Sequence, residues 1–445
     1  MRLSYRFYLA SIFIGIISGT ICVTFRYLIY FVNNIRSSFF RNNDISDFQK
    51  IKGQFRTDDI FYLCLKYLIL FTLIILFLRI VNFLVKKFPT TSGSGLPQTK
   101  ALLERKMVYK SPFKSIFAKF FGGILSISSG LSFGREGSSV QMGSLIGYIF
   151  GKTFKVKQED NNYLIASGAG AGISAAFTAP LASSILILES FRNDNTSDFK
   201  KMIISTLLSG LCAGIIAVFF FPSNIYSSIS ILKPDLSESY MMIIFLSMAI
   251  IFALLGKIFS KLLITIKLRY TKISDRYNKN HLSLALLICI ITFFYPSLVG
   301  GNQFLTVEII ENNSFSLFSN IFIVIILAGL TIISNATGFP GGIFIPLLSI
   351  GGILGKIFCI ALSYFDIVSL YNTGYFVFIG MSAFFISVVR TPLTGFILIS
   401  EMTGNYETLF PTLVVGIIAY TITEILKVQP LDDILYDIIM KENGN

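Results

Sequence analysis

Apolar stretches separated by short polar breaks run the length of the chain. Long ones lie at Phe7–Val32, Ile60–Val85, Met202–Phe221, Met241–Ile266 and Ile343–Tyr364. Shorter ones lie at Val140–Phe150, Tyr163–Phe177, Leu181–Phe191, Leu282–Phe294, Tyr375–Val389 and Leu393–Ile399. Further stretches cover Phe113–Phe133, Leu317–Ile333 and Leu409–Ile425. A helix needs about 20 apolar residues to cross the hydrocarbon of a bilayer. The long stretches meet that length; the short ones do not, and Gly or Pro cuts them at their ends. The pattern predicts an all-α membrane protein in which full spans alternate with broken, tilted helices. Met1–Arg6 followed by Phe7–Thr24 reads as the first span, because the apolar part is too long for a signal peptide and no small-residue cleavage pattern follows. Residues 427–445 predict one short C-terminal helix, and the whole of 1–445 reads as a single transmembrane transport domain.

The chain repeats itself. "FPTTSGSGLP" (from Phe88) lies over "YPSLVGGNQF" (from Tyr295), and "GREGSSVQMGSLIG" (from Gly134) lies over "GIFIPLLSIGGILG" (from Gly342). "APLASSILILES" (from Ala179) lies over "TPLTGFILISEM" (from Thr391), which sets Glu189 and Glu401 each nine residues after a proline. The offset grows only from 207 to 212 across the three blocks. Three matches in order at nearly constant spacing argue for duplicated halves, with cores at 60–195 and 280–426. Duplicated halves of a polytopic membrane protein pack about a pseudo-two-fold axis, with the transported species between them and the broken helices around it.

Composition agrees. Apolar residues make up 53% of the 445 and charged residues only 14%, against about 25% charged in soluble domains. The net charge of +13 does not indicate nucleic acid. Its lysines and arginines sit in short loops between apolar runs, as at Lys152, Lys155 and Lys157 or Lys267 to Lys279, and such loops face the cytoplasm. Five scattered cysteines and the single His281 offer neither a disulfide framework nor a metal set. No catalytic residue, metal or cofactor is expected, and an intramembrane enzyme has no nucleophile–base pair to assemble.

The chemistry concentrates at the glycine-flanked breaks. A helix starting near Arg135 in mid-membrane leaves its first N–H groups without intrahelical partners, and lipid cannot satisfy them. Together with the helix dipole they suit an anion. Gly342 and Ile343 to Pro346 offer a second such start, with Pro in the first turn. Gly93, Ser94, Gly95 and Pro97 form a third, adding a hydroxyl. Three converging helix ends can hold a halide without a full positive charge and still release it. Glu136, between Gly134-Arg135 and Gly137, can occupy such a site itself and swing away when protonated, as both gate and proton carrier. The plainer alternative is a first-turn Glu paired with Arg135; the repeats and the glycine breaks favour the gate.

These blocks, "GSGLP", "KFFGG" from Lys119 with "FGREGSSVQMG", "AAFTAPLASSILILE" from Ala175, "GGIFIP" and "EMTGNY", resemble those of the CLC family of chloride channels and proton-coupled chloride exchangers. The resemblance spans nearly the whole chain, with the blocks in order. It implies two inverted repeats of broken helices and a homodimer in the cell membrane, each subunit with its own pore. It further implies Ser94 as hydroxyl donor to chloride, Ile343 and Phe344 as backbone N–H donors, Glu136 as the gating glutamate, and Lys119 beside the inner pathway. The absence of paired regulatory domains is typical of prokaryotic members, which points to a bacterial inner membrane. The transported species are chloride and protons; the partners are lipid and a second copy.

The departures bear on mechanism. The family's Pro after GREG is Ser138. The exchangers' second, internal proton glutamate is replaced by Ser190. The Tyr hydroxyl that completes the chloride site is replaced by Asp432, with Tyr436 one helical turn later. Lys100 stands where the family is often acidic. Glu136 favours proton-coupled exchange; Ser190 favours a passive chloride channel. Fluoride export, which a branch of the family with a non-Pro residue after GREG performs, is opposed by Ser94 and the GGIFIP block. Glu189 and Glu401 read as groups that cap or pair with neighbouring backbone or Lys rather than carry protons.

Overall fold

The computed structural model describes residues 2–40, 57–154, 156–191, 199–222, 231–271, 277–301 and 316–443. Those residues form sixteen α-helices and no strand. The first half runs α1 (Arg2–Phe40), α2 (Thr57–Lys87), α3 (Leu96–Leu103), α4 (Pro112–Ser128), α5 (Glu136–Thr153), α6 (Gln158–Phe177), α7 (Pro180–Phe191) and α8 (Phe199–Phe220). The second runs α9 (Glu238–Thr271), α10 (Tyr277–Phe294), α11 (Leu317–Ala336), α12 (Phe344–Ser363), α13 (Thr373–Val389), α14 (Pro392–Thr403), α15 (Leu409–Ile425) and α16 (Leu431–Asn443). Seven helices among the described residues are long and apolar enough to cross a membrane, as a multi-pass integral membrane protein requires. Their outer faces carry exposed Phe13, Phe61, Leu68, Ile215 and Ile243, the surface a lipid solvent tolerates. The centre is α13, every residue of which is buried.

The duplication is visible in the backbone. A 3₁₀ turn at Pro89–Thr91 follows α2, and its counterpart at Pro296–Leu298 follows α10. Each is entered through a residue with nearly the same dihedrals, Phe88 at φ −131° and Tyr295 at φ −143°. The helices α6 and α13 both end on a left-handed residue, Thr178 at φ 59° and Arg390 at φ 70°. The two halves meet in an antiparallel backbone bridge: the Gly134 N–H donates to the Gly342 carbonyl at 2.8 Å, and the Gly342 N–H to the Gly134 carbonyl at 2.7 Å. Equivalent residues that exchange hydrogen bonds in antiparallel sense lie on a pseudo-two-fold axis, so the repeats are inverted. The same symmetry orders α7 and α14. Glu189 near the end of α7 accepts the Leu393 and Thr394 N–H groups, both at 2.9 Å, at the start of α14. Glu401 near the end of α14 accepts the Leu181 and Ala182 N–H groups at 3.0 and 2.7 Å, at the start of α7. Each helix caps the other, satisfying amides that lipid would leave bare.

Two differences from the sequence pattern have local causes. The apolar runs Val140–Phe150 and Tyr163–Phe177 sit inside longer helices, α5 and α6: Gly137, Ser138, Ser139 and Gly151 of α5 are buried outside the first run, and a Cβ on Gly151 would meet the Asn161 side chain of α6. A Cβ on Gly143 would lie 2.0 Å from the Gly168 carbonyl oxygen, and one on Gly168 as close to that of Gly143. The pair recurs in α12 and α13 as Gly351 and Gly380. In the run Phe113–Phe133 the helix stops at Ser128, where Gly130 at φ 102° turns the chain back into the membrane toward Gly134.

This contact is testable. Gly168→Ala is expected to lower stability by about 2 kcal/mol, since overpacking against rigid backbone costs roughly 1–3 kcal/mol. Gly329→Ala, where a Cβ meets nothing within 4 Å, is expected to cost nothing. Thermal melting of both variants in detergent provides the comparison.

Candidate anion site

The loop before α3 is fixed from several sides. The Gly93 N–H donates to the Gly338 carbonyl at 2.8 Å, and the Gly341 N–H to the Gly93 carbonyl at 3.4 Å, which ties the loop of repeat one to that of repeat two. Gly95 takes φ 105°, a left-handed conformation that favours glycine, and serves as N-cap of α3, with Pro97 in the first turn. Its N–H donates to Gln98 Oε1 at 2.9 Å, and Gln98 Nε2 donates to the Ser92 carbonyl at 2.5 Å. Lys119 is wholly buried, its ammonium donating to the carbonyls of Thr91 at 3.0 Å and Gly93 at 2.7 Å. A buried ammonium persists only when hydrogen-bonded, and here it clamps the turn that presents Ser94. The Ser94 hydroxyl is itself buried and has no hydrogen-bond partner.

Glu136 opens α5 and is wholly buried. Its Oε1 accepts the Phe344 N–H at 2.5 Å and the Ile345 N–H at 3.4 Å, the first amides of α12. Phe344 is the residue matched to Glu136 by the repeat, so the carboxylate of one half caps the equivalent helix of the other. Oε2 is enclosed and unpartnered. Two backbones approach here too closely for any Cβ: one on Gly95 would meet the Gly137 carbonyl oxygen at 2.3 Å, and one on Gly137 the Ser94 carbonyl oxygen at 2.1 Å. Gly342 is equally constrained, since a Cβ there would lie 2.3 Å from Glu136 Oε1. The starts of α3, α5 and α12 therefore converge, with a lone hydroxyl and a half-satisfied carboxylate between them. A cavity of ≈ 30 Å³, lined by Tyr30, Asn33, Phe133, Arg135 and Ile345 among others, opens beside Gly134.

Most residues singled out from the sequence fall at this junction: Gly93, Ser94, Gly95, Pro97, Gly134, Glu136, Gly137, Gly342, Phe344 and Pro346. Ile343 stands at the N-cap of α12, and the amides on the carboxylate belong to Phe344 and Ile345. Ile345 was missed because the register of a helix start is not fixed by its sequence. Arg135 donates Nε to the Ala176 carbonyl at 2.9 Å, tying the loop to the end of α6. Ser190 is half-buried near the end of α7. Tyr436 lies away from the Ser94 end. Its hydroxyl donates to Glu104 and accepts from Lys106 at 2.9 Å, at the far end of α3. Lys100 pairs with Asp433 at 2.5 Å rather than standing alone. Gln98 and Gln141 were also missed as supports. Gln141 Nε2 reaches the Thr90 carbonyl at 2.6 Å and the Tyr109 hydroxyl at 2.8 Å, and their polarity in an apolar run was the available signal.

Comparison with known proteins places this geometry. A sequence model described as voltage gated chloride channel matches residues 59–424. The chain is 30% identical over 363 residues to an H+/Cl− exchange transporter of Vibrio campbellii, covering 78% of this chain and 75% of that one. It is 29% identical over 434 residues to the H+/Cl− exchange transporter of a Vibrio cholerae strain, covering 95% and 87%. Among solved structures, a slow cyanobacterial Cl−/H+ antiporter superposes with a TM-score of 0.86 at 26% identity, over 99% of both chains. A CLC-type fluoride/proton antiporter superposes at 0.74 with 21% identity, over 94% of this chain and 95% of that one, a likeness of fold.

Lys119→Met removes the donor from two buried carbonyls. The variant is expected to lose about 1–3 kcal/mol of stability, read as a lower melting temperature, with Lys119→Arg recovering part of it. Equal melting of Lys119→Met and the unaltered protein would contradict the clamp.

Proposed function

We propose that this chain, which belongs to the voltage gated chloride channel family, exchanges chloride for protons across the membrane, with Glu136 as gate and proton carrier. The observation that carries the proposal is the seat of the carboxylate: Glu136 Oε1 occupies the Phe344 and Ile345 amides, where an anion between broken helices would bind. Ionised, the side chain competes with chloride for those donors. Protonated, it is neutral and a poor acceptor, so it leaves them, and chloride takes its place beside the Ser94 hydroxyl. Proton uptake and chloride binding thus favour one another, while a proton-loaded Glu136 outside the site can be discharged to the opposite face. The names of the relatives in Vibrio, both H+/Cl− exchange transporters, support the same reading.

Chloride and protons are the transported species, with Ser94 and Phe344 as chloride donors and Lys119 as the brace of the inner side. Two copies are proposed to assemble in a bacterial inner membrane, each with its own path, surrounded by lipid. No cofactor or nucleic acid enters the scheme. One observation favours a passive chloride conductance instead: Ser190 supplies no carboxylate at the inner end of α7, leaving protons without a station there.

In proteoliposomes holding a chloride gradient, the exchanger reading expects protons to move uphill as chloride runs down. Absence of proton movement during chloride flux would establish the passive reading. Glu136→Gln is expected to abolish proton movement and its pH dependence while chloride flux persists; coupling that survives would reject Glu136 as the gate.

A further inference from the structure

The cytoplasmic side of the anion site carries a carboxylate that the scheme above does not use. Lys100 on α3 pairs with Asp433 on α16 at 2.5 Å, and Glu104 one turn later meets Tyr436. Two contacts in the same order, one turn apart on each helix, show that α3 and α16 run side by side in parallel. The first turn of α16 therefore points toward the Ser94 end of α3. Only about 6 Å of helix rise separates Leu96 from Lys100, so Asp432, next to Asp433, stands close below the anion site. Which side this is follows from the basic residues. Arg105, Lys106 and Lys110 after α3, with Lys152 in the last turn of α5 and Lys157 at the start of α6, flank one apolar cluster of Leu102, Met107, Tyr109, Leu145, Ile165 and Tyr436. Such a gathering marks the cytoplasmic end.

Asp432 is unlike its neighbours. Its Oδ1 is enclosed and has no hydrogen-bond partner, while the residue as a whole is only half-buried. The one lysine in reach, Lys100, is bound to Asp433. The charged groups facing Asp432 are thus Asp433 on its own helix and Lys100, with Glu104 beyond, on α3. The Arg390 guanidinium, at the end of α13, is held by Glu424 and the Val428 carbonyl. A carboxylate with one oxygen enclosed and without a donor holds its proton at higher pH than one in water. Burial, and then the Asp433 charge, push Asp432 up to about 7, against the opposing pull of Lys100.

We propose that Asp432 is a proton-binding group at the cytoplasmic mouth of the anion path, and that its charge state sets how readily an anion reaches Ser94 from that side. The inference rests on the anion path proposed above but not on proton coupling. The step is simple: the carboxylate takes a proton from cytoplasmic water and returns it to water, making and breaking one O–H bond. Ionised, Asp432 repels an arriving anion; neutral, it does not. A unit charge at this range changes local anion occupancy on the order of tenfold. Ser190 cannot take a proton at the inner side; Asp432 can.

The test is chloride efflux from vesicles with the protein inserted in one orientation, the outer pH held constant and the cytoplasmic-side pH varied. Flux through the unaltered protein is expected to rise on the order of tenfold as that pH falls through about 7. Compared in a Glu136→Gln background, which removes the gate's own response to protons, Asp432→Asn should give a flat response and Asp432→Glu should keep it. Asp433→Asn removes the neighbouring charge and frees Lys100, both of which favour ionised Asp432, so its midpoint must move to lower pH; this variant serves if Asp432→Asn fails to fold. In the Glu136→Gln background, a rise that persists in Asp432→Asn, an unmoved midpoint in Asp433→Asn, or no rise with Asp432 intact would overturn the proposal. Proton movement recorded in the same vesicles with Glu136 intact reports separately on exchange: flux without proton movement there would sink coupling and leave this inference standing.

Discussion

Amide hydrogens exposed at a helix start inside a membrane must be satisfied by something, and the rest of this structure follows from how that need is met. Water and lipid are not available to them. Where the need is structural, the chain supplies a permanent carboxylate: Glu189 caps α14 and Glu401 caps α7 in a reciprocal pair. Where the chain starts α12, it supplies Glu136 instead, bonded through one oxygen while the other is enclosed and unpartnered.

The inverted duplication makes this arrangement possible. Two copies of one helix-break module, related by a two-fold axis through the Gly134–Gly342 bridge, bring two helix starts together from opposite directions. Perfect symmetry would place identical residues at both. The sequence departs from symmetry at that point, with Glu136 in one half and Phe344 in the other. One half contributes a buried carboxylate and the other the amides it accepts from. The peripheral α7–α14 pair keeps its two carboxylates and remains a fastening. Glycine is demanded where the modules touch, at Gly95 and Gly137, because the backbones approach within the reach of a single Cβ.

Much of this was legible in the sequence for physical reasons. Apolar runs shorter than a bilayer, ended by Gly and Pro, have few alternatives to broken helices. Three block matches at near-constant offset required a duplication, and the resemblance to the CLC family agrees with the family and fold found here. The reading of Glu189 and Glu401 as caps agrees with their hydrogen bonds, although their partners in the opposite repeat were not foreseeable from local pattern. What sequence left open depends on register and on side chains meeting across long separations. The amides under Glu136 belong to Phe344 and Ile345, while Ile343 and Phe344 had been read as donors to chloride. Lys119, read as lying beside a pathway, holds the Thr91 and Gly93 carbonyls of the Ser94 turn. Tyr436, placed by helical spacing near the site, is drawn to Glu104 and Lys106 at the other end of α3. Asp432, read as standing in place of the family's Tyr hydroxyl, carries an enclosed oxygen without a partner.

The central claim is that Glu136 and a transported anion compete for the same backbone donors at the start of α12. Anomalous diffraction from bromide-soaked crystals of Glu136→Ala tests it most directly. The account predicts a bromide peak within hydrogen-bond distance of the Phe344 and Ile345 nitrogens, weak or absent there in the unaltered protein at high pH. Bromide bound elsewhere in the junction with those amides unoccupied, or bromide sharing them with an undisplaced Glu136, would contradict it.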